Sequence, residues 1–379
     1  MTRINPIKYL FWLYLTIPIS GVNFFSQEKF FLNYSELFLI FIFLSLIFSF
    51  SIKSFNKNEI IILCLLILYI LIGSIGIANS SSFFNFFKEL KPYFFLLLTL
   101  IILFTFSKSS FNNLNLNKVL SIIIISDILT YFLLLTFPEF MPDGIRKQLY
   151  VRSGVYRYSD FATLFAQIIS LISFCQNRYI PRKMFVSFVL FLLLVVLTQD
   201  RMFMLFGFLL FYVTLVQRGS ILIIFFSLFL LLIPIYYLAG IESSEITGRI
   251  YNLSSIDLIL EELLIRIVMP VLNGGYSLNL ITFLFGEGFD FKFFIPWFEY
   301  RGQSTSHNSV DSFYVTVFVK HGLLGLTLFL VAIFYPLRHQ SKSTLIWILV
   351  YFLTHNGLYQ ADFLIMMIFL VLYAKNKYA

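Results

Sequence analysis

Residues 309–336 read SVDSFYVTVFVKHGLLGLTLFLVAIFYP. A helix that crosses a bilayer needs about 20 consecutive, mostly apolar residues, and this stretch is long and apolar enough to be one. Similar runs recur near 8–25, 37–52, 60–78, 92–106, 119–137, 159–176, 184–199, 201–217, 220–239, 344–358 and 361–374, which makes twelve. The pair 184–199 and 201–217 is divided only by Gln199, Asp200 and Arg201, a tight helical hairpin. The expected fold is an all-α integral membrane protein of about twelve transmembrane helices, one polytopic domain over residues 1–379.

Composition agrees. The chain is 59% hydrophobic and 12% charged, against roughly 45–50% and 25% in soluble domains. So few charges cannot cover the surface of a water-soluble protein of this length. A soluble enzyme, a nucleic-acid-binding protein and a disordered chain are thereby excluded. Cys64 and Cys175 both lie in apolar runs, so neither a disulfide framework nor a zinc site is expected.

Lysines and arginines set the orientation. With the N-terminus in the cytoplasm, that side collects Arg3, Lys8, Lys53, Lys57, Lys108, Lys118, Arg178, Arg182, Lys183, Arg218, Arg338, Lys342, Lys375 and Lys377. All lie in termini or short connections, where the positive-inside rule acts most strongly. Both termini are then cytoplasmic. The first run carries no convincing small-x-small cleavage site after it and is expected to be a retained anchor rather than a signal peptide.

Two connections on the opposite face are longer than a turn requires. The first, 138–158, carries Arg146, Lys147, Arg152 and Arg157 against Glu139 and Asp143. Positive charge is disfavoured on that face, so Arg152 and Arg157 are candidates for binding an anion, the alternative being arginines that snorkel to headgroups. The second loop spans about 240–308. Its residues 256–271 place Ile256, Ile259, Leu260, Leu263, Leu264, Ile267, Val268 and Val271 at helical spacing, predicting an amphipathic helix over about 256–270 that Pro270 ends. Next come Gly286, Glu287 and Gly288, the aromatic stretch FDFKFFIPWFEY (289–300), which reads as an interfacial belt or a sugar-stacking surface, then Arg301, and then Ser306, His307 and Asn308.

His307 sits where this polar loop enters a long apolar run. A neutral imidazole accepts a proton near neutral pH, and a histidine there also serves as a hydrogen-bonding residue at a helix start. His321 and His355 lie within spans and His339 in a cytoplasmic connection, positions where histidines are more often structural. Arg201 opens a span directly after Asp200, a costly place for a guanidinium unless it is paired or used. Asp127 stands mid-span in the fifth run, as a functional or a hydrogen-bonded structural carboxylate.

Several of these pieces together resemble the O-antigen polymerase and ligase superfamily of bacterial inner membranes. The matching residues are Arg152-x-Gly154, LTQDR at 197–201, Gly248 with Arg249, Gly286-x-Gly288, and His307 with Asn308 followed by GLLGLTLFL at 322–330. The resemblance covers roughly residues 150–335, most specifically the HN…GLLGL order after the large loop. The chain departs from it in having no Arg-x10-Gly repeat, and Asp200 where serine is common.

The resemblance implies a fold similar to the C-type glycosyltransferases, with both long loops periplasmic. It implies a Wzy-type polymerase that joins undecaprenyl-diphosphate-linked oligosaccharide repeat units by inverting, metal-independent transfer, with no cofactor. In that scheme His307 is the base, and Arg201 and Arg249 stabilise the leaving diphosphate. Arg152, Arg157, Arg301 and Asn308 bind substrate. Arginine suits the task because its fork makes bidentate contacts with phosphate oxygens. Implied partners are the lipid-linked oligosaccharide, membrane lipid, and the chain-length regulator and flippase of the same pathway, with no nucleic acid. The alternatives are an O-antigen ligase that transfers the glycan to lipid A–core and, from another class, a polysaccharide flippase.

Overall fold

The computed structural model describes residues 34–48, 55–80, 83–105, 116–140, 149–152, 155–158, 166–167, 169–170, 173, 181–198, 264–295, 305–310, 312–338, 342–354 and 361–377. The predicted runs near 8–25, 201–217 and 220–239, and most of 159–176, lie outside them. The described part is mostly helical. Its elements are α1 (Tyr34–Phe48), α2 (Lys57–Ser80), α3 (Phe83–Thr105), α4 (Leu116–Thr136), β1 (Leu149–Arg152), β2 (Val155–Tyr158) and α5 (Pro181–Thr198). A π-helical turn (Leu264–Val268) then leads into α6 (Met269–Asn273), α7 (Leu280–Phe285), β3 (Phe293–Phe294), β4 (Ser306–His307), α8 (Phe313–Leu337), α9 (Lys342–Thr354) and α10 (Ala361–Lys377).

Among the described residues, three helical stretches are long and apolar enough to cross a membrane: Lys57–Ser74, Asn117–Thr136 and Phe313–Leu337. Their outer faces are apolar too. On α2, Ile60, Ile61, Leu65, Leu68, Leu71 and Ile72 are exposed, and on α4 so are Ile125, Leu129 and Phe132. Apolar faces of this extent are unfavourable in water and suit a lipid surrounding.

The chain folds as two compact units. One comprises Met1–Leu10, Gln27–Asn112 and Leu260–Ala379, the other Phe11–Ser26 and Asn113–Ile259. In the first unit α3 packs against α1, α2, α8 and α10. Tyr93, Phe95, Leu96, Leu98, Leu100, Ile102 and Leu103 of α3 are all buried, as are residues 363–371 of α10. A helix apolar on every side belongs inside a bundle. In the second unit α4 packs on α5. There the Ser187 hydroxyl donates to Asn117 Oδ1 at 2.9 Å, the Ser173 hydroxyl donates to the same oxygen, and Asn117 Nδ2 donates to the Lys183 carbonyl at 3.3 Å. The first long loop of this unit contains the antiparallel ribbon β1–β2, with Tyr150 opposite Arg157 and Arg152 opposite Val155.

Two elements differ from their sequence expectation. Helix α3 begins at Phe83, not near 92, and carries Pro92 in its interior. Charged Glu89 and Lys91 look like loop residues in sequence, yet both are ion-paired in the fold: Lys91 meets Glu36 of α1 at 2.9 Å, and Glu89 meets two lysines. The described part of the expected amphipathic helix runs past Pro270, which stands in the first turn of α6 and does not end the helix. The π-helical turn Leu264–Val268 leads directly into α6, so Pro270 lies within a continuous helical run. Residues 256–263 of that helix lie outside the described residues.

Helix α8 starts after Ser312, whose hydroxyl caps the Val315 amide at 3.5 Å, and breaks at Gly322 (φ 64°, ψ −169°). Near the break the carbonyls of Val319 and Lys320 accept from the amides of Glu287 (2.8 Å) and Gly288 (3.0 Å). The chain passes so close that a Cβ on Gly286 would collide with the Lys320 backbone, and one on Gly322 with the Leu284 backbone. Gly286 (φ 79°, ψ 179°) shares with Gly322 a backbone region open essentially to glycine alone. The Gly286-x-Gly288 and GLLGL segments are therefore two halves of one interlock.

Alanine at Gly286 or Gly322 should lower stability by more than the ~1–3 kcal/mol of backbone strain alone, because the backbones must also separate. Gly288→Ala, at positive φ with open space around it, should cost less. Thermal midpoints of the detergent-solubilised variants check the order; equal shifts for all three would contradict the interlock.

Candidate functional site

The interlock holds a charged cluster in the first unit. Lys320, from α8, is fully buried, and Glu89, from α3, is 3% exposed. Lys320 Nζ donates to Glu89 Oε2 at 3.3 Å and to the Phe289 carbonyl at 2.8 Å. The other Glu89 oxygen pairs with Lys292, which also donates to Asn308 Oδ1 at 2.5 Å. A continuous polar chain thus runs from the buried Lys320 through Glu89 and Lys292 to Asn308. Two ammonium groups share the Glu89 carboxylate, and the Asp290 carboxylate also acts on Lys320. The Lys292 side chain is 44% exposed, which leaves its ammonium reachable from outside.

His307 stands next to Asn308. It lies in β4, paired antiparallel with Phe293 of β3, and it is half-buried. The strand pair is fixed from below by Phe293, fully buried in a cluster with Val271, Ile295, Val310 and Val319. Phe293 and Phe289 are thus packing residues, while Phe294 is exposed; the aromatic stretch is not a uniform belt. Beyond β4, the Thr316 hydroxyl accepts from the Val310 amide at 3.1 Å and donates to the Val310 carbonyl at 3.2 Å. This ties the segment that carries His307 and Asn308 to the first turn of α8.

Behind the cluster lies His321, fully buried. Its Nε2 is hydrogen-bonded to the Tyr93 hydroxyl at 2.6 Å, and its carbonyl accepts from Tyr69 at 3.1 Å. Its ring is boxed by those of Phe289, Phe329, Tyr93 and Tyr69, with centroids 4.5, 5.1, 5.2 and 5.7 Å away. Gly325 admits the Tyr69 ring, because a Cβ there would press on its hydroxyl. Nδ1 has no hydrogen-bond partner among the described residues. His321 is a packed core histidine, in keeping with its place inside a span.

Of the residues singled out in sequence, His307 and Asn308 come together with Lys292. Arg152 and Arg157 lie in β1 and β2 of the second unit, opposite Val155 and Tyr150 in the backbone register. Asp127, of α4 in the same unit, is fully buried. Arg201, Arg249 and Arg301 lie outside the described residues. Sequence reading missed Glu89, Lys292, Lys320 and Tyr93. Two of these left a signal: Lys320 is a lone cation inside a long apolar run, and Lys292 is the one cation inside FDFKFFIPWFEY.

Removing Glu89 strands Lys320 in an apolar interior. Breaking a buried pair from one side costs about 3–5 kcal/mol. Glu89→Gln should lower the thermal midpoint of the solubilised protein markedly, and Lys320→Met in the Glu89→Gln background should recover much of the loss. An unchanged midpoint for Glu89→Gln would show that the cluster does not hold the fold.

No curated protein and no solved structure matches the chain. Residues 97–377 match DUF6369, described as a family of unknown function, and on that share of its length the chain belongs to this family.

Proposed function

We propose that the chain is a glycosyltransferase of about twelve spans in a bacterial inner membrane, with both termini cytoplasmic. Its reaction is the polymerisation of undecaprenyl-diphosphate-linked oligosaccharide repeat units into O-antigen or capsular polysaccharide at the periplasmic face. The observation that carries the reading is the juxtaposition at the start of α8. There a half-buried imidazole, His307, stands beside Asn308, and Asn308 is held by a reachable ammonium, Lys292. A base and a cation at the edge of an apolar helix are what transfer from a lipid diphosphate requires.

In this reaction His307 takes the proton of the acceptor sugar hydroxyl as its oxygen attacks the anomeric carbon of the donor. The bond from that carbon to the diphosphate oxygen breaks, configuration inverts, and undecaprenyl diphosphate leaves. Charge develops on the departing diphosphate, so cations there act more strongly in the transition state than before it. Arg201 and Arg249 are assigned that role, with Arg152, Arg157, Arg301 and Asn308 binding substrate. The ligase reading uses the same donor and chemistry and differs in its acceptor, lipid A–core. Transport is favoured by one observation, the buried ionisable groups Glu89 and Lys320 against a candidate span, since such groups also mark ion pathways.

Deletion of the protein, followed by lipopolysaccharide gels, separates these readings. A lost polymerase leaves core capped with a single repeat, whereas a lost ligase leaves bare core and lipid-linked polymer. A lost flippase leaves bare core without polymer. Loss of a general base costs typically about 10²–10⁴-fold in rate, so His307→Ala should abolish the ladder at unchanged protein level, as should Arg201→Ala and Arg249→Ala. A normal ladder from His307→Ala would sink the assignment.

A further inference from the structure

The segment between α6 and β3 is built unlike a water-facing loop. Leu278 and Leu280 are each 74% exposed, Ile281 71% and Phe285 57%. The opposite side of α7 is fastened to α8: Thr282 is buried, Phe283 meets Phe318 with ring centroids 5.6 Å apart, and Leu284 crosses at Gly322. Phe318 and Gly322 lie five and nine residues beyond the start of α8 at Phe313, about 8–14 Å along a helix at ~1.5 Å per residue. Both lie in the part of α8 up to its break at Gly322, and α8 is one of the helices long and apolar enough to cross a membrane. The exposed leucines therefore flank the N-terminal part of a candidate membrane span.

Backbone in hydrocarbon must satisfy its own polar groups, and several of the polar groups here are paired within the segment or with α8. Asn279 Oδ1 accepts from the Thr282 amide at 2.9 Å, and the Thr282 hydroxyl accepts from the Asn279 amide at 3.0 Å, a reciprocal cap on α7. The Gly286 amide donates to the Thr282 carbonyl at 2.8 Å, and the next two amides donate to α8. At the neck, the Ser277 amide and hydroxyl donate to Glu287 Oε1 at 2.9 and 3.0 Å. The apolar side chains exposed at the tip are Leu278, Leu280, Ile281 and Phe285, and the exposed Asn279 between them is turned into the cap.

We propose that residues 278–285 form a re-entrant wedge whose exposed leucine, isoleucine and phenylalanine side chains sit among lipid acyl chains of the leaflet next to the α8 N-terminus. The wedge rests on the membrane reading proposed above, which makes that the periplasmic leaflet. It gives the His307 hairpin a lipid-embedded flank, so that a lipid-borne substrate arrives laterally.

The test uses the full chain with Cys64→Ala and Cys175→Ala, reconstituted in phosphatidylethanolamine–phosphatidylglycerol vesicles. Single cysteines at Leu280, Ile281, Leu324 and Asp290 carry an environment-sensitive fluorophore. The labels at 280 and 281 should be quenched by brominated acyl chains as strongly as that at the exposed Leu324 of α8, and several-fold less by aqueous iodide than that at the exposed Asp290. Iodide quenching at 280 and 281 equal to that at 290, with Leu324 still quenched by lipid, overturns the wedge alone. Shielding of 280 and 281 from both quenchers points to a protein cover and overturns it too. Failure of lipid to quench Leu324 overturns the membrane reading itself.

Discussion

The structure of the first unit depends on a close backbone contact between two segments that are distant in sequence. Where α8 breaks at Gly322, the carbonyls of Val319 and Lys320 take the amides of Glu287 and Gly288. That exchange satisfies polar backbone in an apolar setting, and it is possible only because Gly286 and Gly322 carry no side chain. The same contact lays Lys320 against Glu89 and the Phe289 carbonyl, and seats Phe289 on α2, where Gly73 leaves room for its ring. From Phe289 the chain runs through Lys292 into the hairpin of His307. Site and scaffold are therefore one construction.

Charge is scarce in this sequence, and the fold spends it in two ways. Lysines and arginines in short connections stand where the positive-inside rule acts. A few ionisable groups are instead drawn inside and neutralised: Glu36 with Lys91, and Glu89 with Lys292 and Lys320. In the second set Lys292 reaches the surface beside Asn308. A buried anion thus fixes the position of a surface cation. That arrangement favours binding of anionic groups near His307 without leaving a bare charge in the apolar interior.

Much of the helical framework was legible in sequence, because a helix surrounded by apolar neighbours or lipid must be apolar along its length. The runs 60–78, 119–137, 184–199 and 361–374 coincide closely with α2, α4, α5 and α10. The errors arose where tertiary pairing overrode local character. Glu89 and Lys91 made the first turns of α3 look like a loop, and their partners, Lys320 and Glu36, are remote in sequence. Pro270 looked like a terminator because proline usually ends a helix, yet here a π-helical turn precedes it and the helical run continues to Asn273. His307 and Asn308 stood out from their place between a polar loop and an apolar run. The chain that holds them did not, since each of its links is a contact between distant segments.

The central claim is that the polar face beside α8 transfers a lipid-linked glycan. The most direct measurement is mass spectrometry of products after the purified protein, in lipid nanodiscs, is incubated with undecaprenyl-diphosphate-linked repeat units from its own host. The account predicts lipid-linked oligomers of two or more repeats with release of undecaprenyl diphosphate, in a reaction that His307→Ala abolishes while the variant keeps its fold. Recovery of the repeat units unchanged, from wild-type protein shown to be folded, would contradict it.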